Sequence, residues 1–314
     1  MRRHLAASLA FAATSVAQTS DAAVQLTGQT RSVHTESTGN AGLWVEPTTW
    51  LPPTLSFQQT DSDDASASDF GLFDAAVASA APDVLIFPLT GSGAATQTSS
   101  LSTAAITASA STDTSTDSYW LIGPPLDLVN QQLAPPTYIV GVENDTSVAD
   151  VHFSVQFDVS APTPYTLTGS LGTSAVGINY TLFGTGWSQA TGSIELRNAL
   201  GESVAEVAID QYEFCTPLGG GEVICVPGSR PLSAQGVLAP GSYVLEARAS
   251  NSAAALCAAL HVLFCFDVSN SADFEVELTF ESPPAVPGPA PVWLGALALA
   301  LAATGLRSLR RFHA

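Results

Sequence analysis

The sequence predicts an all-β protein: an antiparallel, jelly-roll-like β-sandwich between a cleavable signal peptide and a short C-terminal transmembrane helix. Three observations carry that expectation. Val151, Phe153, Val155, Phe157 and Val159 alternate without a break with His152, Ser154, Gln156 and Asp158, the period of a half-buried strand. The alternation returns near the end, where Phe274, Val276, Leu278 and Phe280 share one face and Glu275, Glu277 and Thr279 the other. Between these runs, short strand-like segments are separated by turn formers and no 3.6-residue period is sustained. Such a strand cannot stand alone. Its five buried side chains contribute ~1.5–3 kcal/mol each, and ordering nine backbones costs ~1–2 kcal/mol apiece, so a second sheet must cover the apolar face.

Residues 1–17 read as a signal peptide. Arg2, Arg3 and His4 form a basic start, Leu5 to Val16 an apolar stretch, and Ser15-Val16-Ala17 a small-x-small site cut after Ala17, with Ala22 the second choice. The ectodomain, 18–285, is long enough for one large domain or two subdomains, and 18–69 is its least legible part. There, isolated aromatics (Trp44, Trp50, Phe57) among Pro and Thr suggest short strands and loops. Asp61, Ser62, Asp63 and Asp64 through Asp69 read as a solvated acidic loop; without the Gly turn and final Glu of an EF-hand, the run is a weak candidate for calcium.

Phe70 to Phe73, Thr96 to Leu101 and Ile106 to Ser111 lie in a Ser/Thr/Ala background. Small residues bounded by turn formers from Leu101 to Ser111 favour a tightly packed strand over a stalk. Beyond 151–159, strands are expected at Tyr165 to Gly169, Ile178 to Leu182, Ser193 to Arg197, Val204 to Ile209 and Tyr243 to Ala249. Leu238 to Gly241 should be a type II turn with Pro240 and Gly241 at its centre.

The C-terminal 286–314 is a unit of its own. The joint Val286-Pro-Gly-Pro-Ala-Pro291 precedes fifteen uncharged residues, Val292 to Leu306, and then Arg307, Arg310 and Arg311. Counting back to Val286 gives 21 uncharged residues, enough to cross a bilayer with some thinning. The three arginines would resist translocation and stay cytoplasmic.

Joint, apolar segment and terminal arginines together resemble the PEP-CTERM sorting signal of bacterial exported proteins, in its V-P-x-P-A form. The resemblance implies a membrane-embedded exosortase, a cysteine-dependent transpeptidase that recognises the Pro-rich joint and releases or transfers the protein. By matching positions, Val286, Pro287, Pro289 and Ala290 would be recognised, while Gly288 stands where the family's name motif has Glu. The order F-x-V-x-F, P-Y-x-L-x-G-x-L, L-x-P-G-x-Y-x-L and F-x-V-x-L-x-F ahead of the joint also looks like ectodomains common among PEP-CTERM proteins. An ordinary C-terminal anchor is the plainer reading of the tail.

Charge narrows the partners. The ectodomain holds all 28 acidic residues against Arg31, Arg197, Arg230 and Arg248, and the chain has no Lys, which leaves the ectodomain at −24. Nucleic acid and anionic lipid both need clustered positive charge, so the ectodomain suits neither. Chemistry is equally sparse. Gly186-Trp-Ser-Gln-Ala190 and Gly172-Thr-Ser-Ala-Val176 both fail as nucleophile elbows. His34, His152 and His261 have no metal-ligand spacing, and His152 should be a solvated side chain. Gly219 to Gly221 lacks the Lys of a phosphate loop, and no pair among the acids stands out as a glycosidase dyad. Trp44, Trp50, Trp120 and Trp187 fit either a buried core or stacking on sugar rings.

These features point to an exported, surface-sorted structural or adhesive protein of the extracellular matrix or cell envelope, with no catalysis, metal or cofactor. Its partners would be signal peptidase, an exosortase and an exopolysaccharide, with the membrane engaged during sorting. A secreted carbohydrate-binding module is the alternative, followed by a plainly anchored protein or a glycan-modifying enzyme.

Cys215, Cys225, Cys257 and Cys265 are an even set in an exported chain and lack C-x-x-C spacing, which reads as structural bridging. Both pairs fall in excursions between strands, so local bridges Cys215–Cys225 and Cys257–Cys265 are the simplest of three connectivities. Each would restrict the unfolded chain by roughly 2–3 kcal/mol. Non-reducing peptide mapping should recover those two bridges; Cys215 joined to Cys257 or Cys265 would reject the local pairing.

Overall fold

In the computed structural model, which describes residues 23–44, 55–81, 91–117, 120–121, 139–142, 145–176, 180–181, 184–217, 223–255 and 267–281, the alternating run at 151–159 is the second half of a longer strand. The strands in chain order are β1 (Val24–Trp44), β2 (Leu55–Ala67), β3 (Phe73–Ala80), β4 (Ser92–Leu101), β5 (Ala105–Asp117), β6 (Trp120–Leu121), β7 (Ile139–Val142), β8 (Asp145–Val159) and β9 (Thr163–Val176). They continue with β10 (Tyr180–Thr181), β11 (Gly184–Asn198), β12 (Ser203–Asp210), β13 (Cys215–Pro217), β14 (Val223–Cys225), β15 (Gly228–Leu238), β16 (Gly241–Ala255) and β17 (Asp267–Phe280). All pairings are antiparallel.

Two sheets form the sandwich. The first runs β12-β11-β16-β8-β1-β2, with β10, β7 and β6 added along it; the second runs β15-β9-β17-β5-β4-β3. Apolar side chains of both inner faces join in one buried cluster reaching from Val24 to Leu278, so the first and last described strands share a core. Phe153, Val155 and Phe157 are fully covered, as the alternation requires. Phe157 stacks on Tyr243 at 5.7 Å and meets Phe280 of the facing sheet edge-on at 5.2 Å.

Two glycines let the sheets interlock. A Cβ on Gly169 would sit 2.7 Å from the Glu275 carbonyl and 3.0 Å from Ile194 Cδ1 of the opposite sheet. Conversely, a Cβ on Gly192 would meet Leu171 Cδ2 at 3.2 Å. Ile194 and Leu171 are both fully buried, and each occupies space that the facing glycine leaves open. Interiors this dense tolerate no added methyl without a shift.

Towards one end of the sandwich the interior turns polar. Thr35, Ser37, Ser79, Thr112, Thr114, Thr116, Ser147, Asn251 and Asn270 are buried there. Ser37 Oγ lies 2.9 Å from Ser79 Oγ and 3.2 Å from Ser147 Oγ, while Asn270 Nδ2 donates to the Gln189 and Ser252 carbonyls at 3.0 and 2.8 Å. Asn251 Nδ2 donates to the Thr112 and Asn270 carbonyls, both at 2.9 Å. These bonds tie the sheets together with side chains too small and polar to register as a hydrophobic pattern.

Several expectations are corrected. The region read as short strands and loops contains β1, 21 residues long, which pairs with β8 on one edge and β2 on the other. A bulge between Leu26 and Gly28 switches the inward positions from even to odd numbers, and the inward side chains beyond it include Arg31, Thr35 and Ser37; both effects erase the alternation. Of the acidic run Asp61 to Asp69, residues 61–67 are not loop but lie in the edge strand β2, where outward carboxylates discourage edge-to-edge pairing, while Asp69 lies in the connection after it. The strand expected from Leu101 to Ser111 is broken by a turn, with the Ser102 amide donating to the Ala105 carbonyl at 2.9 Å. Gly241 opens β16 with φ of 156°, too extended for the ~80° of a type II centre. Only 180–181 of the strand expected at Ile178 to Leu182 is described, as β10.

In the ribbon β13–β14, Cys215 lies directly across from Cys225, and Cys225 is disulfide-bonded. Ala17, the whole tail from Val286 to Arg311, Cys257, Cys265, His261 and Trp50 lie outside the described residues. Among the described residues no helix is long and apolar enough to cross a membrane.

The outermost strands of the two sheets face each other without pairing, and an arginine bridges each seam. At one, the fully buried Arg31 reaches from β1 across the interior. Its Nη1 donates to the Gly71 carbonyl at 2.8 Å and to Ser99 Oγ at 3.1 Å, its Nη2 to the Asp69 carbonyl, and its Nε to Gln29 Oε1 at 2.9 Å. The guanidinium lies 5.4 Å from the Phe73 ring centroid. At the other seam, Arg230 of β15 donates to the Ala208 carbonyl on β12 at 2.8 Å and pairs with Glu213. Burial lowers the Arg31 pKa and Asp69 raises it, leaving it below the ordinary value. Arg31→Met keeps much of the volume but removes every donor. It should cost about 2–4 kcal/mol in denaturant-monitored unfolding; a loss below about 0.5 kcal/mol would mean that the clasp is dispensable.

Candidate functional site

Because inner faces form the core, any site on the body of the sandwich must be built from outward side chains. On the first sheet these meet at Glu246. The register places Glu195 of β11 directly opposite Glu246 of β16, and Glu206 of β12 opposite Glu195, a row of three like charges. Such a row is unfavourable unless cations interleave. They do: Arg197 Nη2 donates to Glu246 Oε2 at 2.8 Å and Nη1 to Glu195 Oε2 at 3.4 Å, while Arg248 Nε donates to Glu246 Oε1 at 2.6 Å. His152 Nε2 lies 3.2 Å from the same Oε1. His152 is therefore half-buried and paired, not the solvated side chain expected. Burial pushes the Glu246 carboxyl up, but the hydrogen bond from Arg248 and the charges of Arg248, Arg197 and His152 outweigh it and hold the carboxyl below its ordinary value.

The second sheet presents hydroxyls and carboxylates. Cross-strand pairs include Ser92–Ser115 and Thr96–Ser111, each 2.8 Å between oxygens, and Thr98 donates to Asp74 at 2.9 Å. A shallow groove of about 240 Å³ runs over β4, β5 and β17, lined on its outward side by Thr98, Ser100, Thr107, Ser109, Glu275 and Glu277. It is smaller than the usual small-molecule pocket. Beside it, Asp113 and Asp273 are the carboxylate pair that no sequence pattern marked. Burial raises both carboxyls above their ordinary value, and the charge of Asp113 raises Asp273 further. A Cβ on Gly172 would collide with the Asp273 carboxylate, so the glycine gives that side chain its room.

The other sequence candidates are dispersed. His34 Nδ1 lies 2.5 Å from Asp64 Oδ1 on the outer side of β1 and β2. Asp61 caps the β3 edge by accepting from the Ala80 amide at 3.0 Å. Among the described residues no group of three or more His, Cys, Asp or Glu is placed to hold a metal, the run at Asp61 to Asp69 included. Ser188 of the failed elbow is buried within β11. Trp44 ends β1, Trp120 opens β6 and Trp187 lies in β11.

Fold and surfaces define a class: an antiparallel β-sandwich with polar outer faces and its cations engaged internally. No family model matches the chain, and no curated protein matches it. Among solved structures, infectious bursal disease virus of the Gx strain is 9% identical over 88% of this chain and 89% of that one, with a TM-score of 0.13. The VP2 subviral particle of that virus is 9% identical over 89% of each chain, at 0.15, and the InvG secretin β-barrel domain of Salmonella is 10% identical over 89% and 68%, at 0.10. Superpositions this poor carry no argument about fold or function.

The two carboxylate environments titrate in opposite senses. Glu246, depressed on folding, lends stability above its unfolded pKa that is lost as pH falls through the folded value. Asp113 and Asp273, raised on folding, cost stability once deprotonated, and that cost disappears in acid. Glu246→Gln should lower stability at neutral pH by about 1–3 kcal/mol, with the deficit shrinking in acid. Asp273→Asn should instead raise the neutral Tm by about 1–3 °C and leave the acid Tm unchanged. Thermal melts from pH 3 to 7 check both; an unchanged neutral Tm for both variants would reject the assignment.

Proposed function

We propose that this chain is an exported, surface-sorted structural or adhesive protein of the extracellular matrix or cell envelope, acting without catalysis or cofactor. Signal peptidase cuts after Ala17, an exosortase acts on the joint at Val286, Pro287, Pro289 and Ala290, and the apolar segment 292–306 holds the precursor in the membrane until then. Arg307, Arg310 and Arg311 stop its transfer.

The observation that supports this reading most is where the sandwich releases its tail. Phe280, the last residue of β17, donates its amide to the Ala104 carbonyl in the β4–β5 turn at 2.9 Å, and the Glu281 amide donates to Pro164. The chain is thus fastened into the sheet up to residue 281, and the Pro-rich joint follows at once. A Pro-rich segment cannot be regular helix interior. An extended, accessible joint is what a transpeptidase needs. The engaged arginines add to this: with Arg31, Arg197, Arg230 and Arg248 all paired internally, the surface favours neutral or cationic partners over anionic ones.

A second reading, a carbohydrate-binding module, is favoured by the groove lined by Thr98, Ser100, Thr107, Ser109, Glu275 and Glu277. It is compatible with sorting, since a matrix protein can hold its matrix through that face.

Intact-mass measurement of the surface form should give a C-terminus between Pro284 and Pro291. A mass that includes 307–314 would mean a plain anchor and overturn the sorting reading. Pro287→Ala should leave uncut precursor in the membrane. For the second reading, a glycan array with the purified ectodomain should show binding lost in Glu275→Gln/Glu277→Gln; an empty array removes that reading, and released sugar would mark an enzyme instead.

A further inference from the structure

We propose that the end of the sandwich from which both chain termini leave is a lipid-docking base, seated on the outer leaflet of the membrane that holds the chain's own tail. This rests on the anchored-precursor reading above and adds an orientation and a contact surface to it.

The register defines the end. Val24 of β1 pairs with Val159 of β8, which pairs with Gly241 of β16, and the Ser160 amide donates to the Ala23 carbonyl at 2.9 Å. On the facing sheet, Phe280 pairs with Tyr165, and Val237 of β15 pairs with Pro164. Five connections close this end: 68–72, 102–104, 160–162, 199–202 and 239–240. Their residues are Ser-Asp-Phe-Gly-Leu, Ser-Thr-Ala, Ser-Ala-Pro, Ala-Leu-Gly-Glu and Ala-Pro, with two charges, Asp69 and Glu202. The outer faces of the two sheets, by contrast, carry Glu195, Glu206 and Glu246 on one side and Asp113, Asp273, Glu275 and Glu277 on the other.

Three large apolar side chains stand out at one corner of this base. Leu200 is 83% exposed, Val237 63% and Val204 39%. Gly201, with φ of 79°, makes the turn that holds Leu200 outward, and the Asn198 side chain fixes it by accepting from the Leu200 and Glu202 amides at 2.9 and 3.0 Å. A turn built for water alone favours a polar residue at such a tip. A leucine braced there is suited to entering the lipid interface.

Geometry selects the membrane as occupant. Ten residues, 282–291, separate the fastened Glu281 from the apolar segment. Even at the ~3.3–3.6 Å per residue of a fully extended chain, ten residues reach at most about 36 Å. The 15 residues of β8 extend about 50 Å, so the far end of the upright body stays out of reach of the bilayer. The flanks could approach it only by bringing rows of carboxylates to the surface, whereas the connections of the base carry only Asp69 and Glu202. Tethering at this length places the base at an effective concentration on the order of millimolar, so a contact too weak to recruit the free ectodomain still holds it in place. Cutting the joint removes the tether and the docking together.

The test uses the full precursor reconstituted in phosphatidylcholine vesicles, with and without bromine on the upper acyl chain as a contact quencher. Native Trp293 lies in the apolar segment, and its quenching, absent in Trp293→Phe, reports that the tail is inserted. Leu200→Trp and, as a second reporter, Val237→Trp should each add emission that brominated lipid reduces about two-fold. Thr98→Trp, on the outer face of the second sheet, should add emission that is not reduced. If Trp293 is quenched while Leu200→Trp and Val237→Trp behave like Thr98→Trp, docking is overturned and the anchored tail stands. If Trp293 is not quenched, the anchored-tail reading falls and docking with it. Protection of both reporters that instead follows protein concentration in sedimentation, without lipid quenching, would mean that a second copy covers the base.

Discussion

Two twisted sheets stacked face to face leave two lateral seams where strand edges meet without pairing, and this molecule depends on holding those seams shut. At one, Arg31 crosses the interior and gathers the carbonyls of Asp69 and Gly71 with Ser99 Oγ. At the other, Arg230 reaches from β15 to the Ala208 carbonyl on β12. A guanidinium suits this task because it has five donors in a fixed plane and remains charged even when buried. Between the seams, shape does the work, with Ile194 set over Gly169 and Leu171 over Gly192. Apolar burial favours stacking in general, while the clasps and glycine seats select one alignment.

The economy of positive charge follows from that constraint. With −24 on the ectodomain, self-repulsion is reduced only where cations interleave, and each arginine is placed where like charges or unpaired carbonyls would otherwise cost most. Arg197 and Arg248 converge on a carboxylate that faces a second one across the strand pair. No described guanidinium is left to recruit an anion. The outer faces are then fields of hydroxyls and carboxylates. The most exposed of the large apolar side chains among the described residues, Leu200, stands in a turn.

Legibility in the sequence followed the size of the inward side chains. Strands β8 and β17 could be read because their inward positions hold Val, Leu and Phe. Strands β4 and β5 were faint because theirs hold Ala, Ser, Thr and Gln97, packed just as tightly but almost indistinguishable from the outward Ser and Thr. Strand β1 was missed because the bulge after Leu26 reverses its parity and Arg31 sits where an apolar residue would be expected. The candidate surfaces were hidden for another reason. Glu195, Glu206 and Glu246, like Asp113 and Asp273, are brought together by cross-strand register, which joins residues tens of positions apart.

What the sequence by itself determined is the all-β class, the excess of acid and the order of a Pro-rich joint, an uncharged apolar stretch and terminal arginines. Each is a property of composition or of spacing within a short window. Only the tertiary structure decided which strands neighbour each other, which arginines close the seams, that Cys215 faces Cys225, and that β1 starts and β17 finishes at the same end of the sandwich. Those facts depend on register and on the stacking of one sheet over another. A strand's own pattern says which face turns inward; what that face meets is set by side chains elsewhere in the chain.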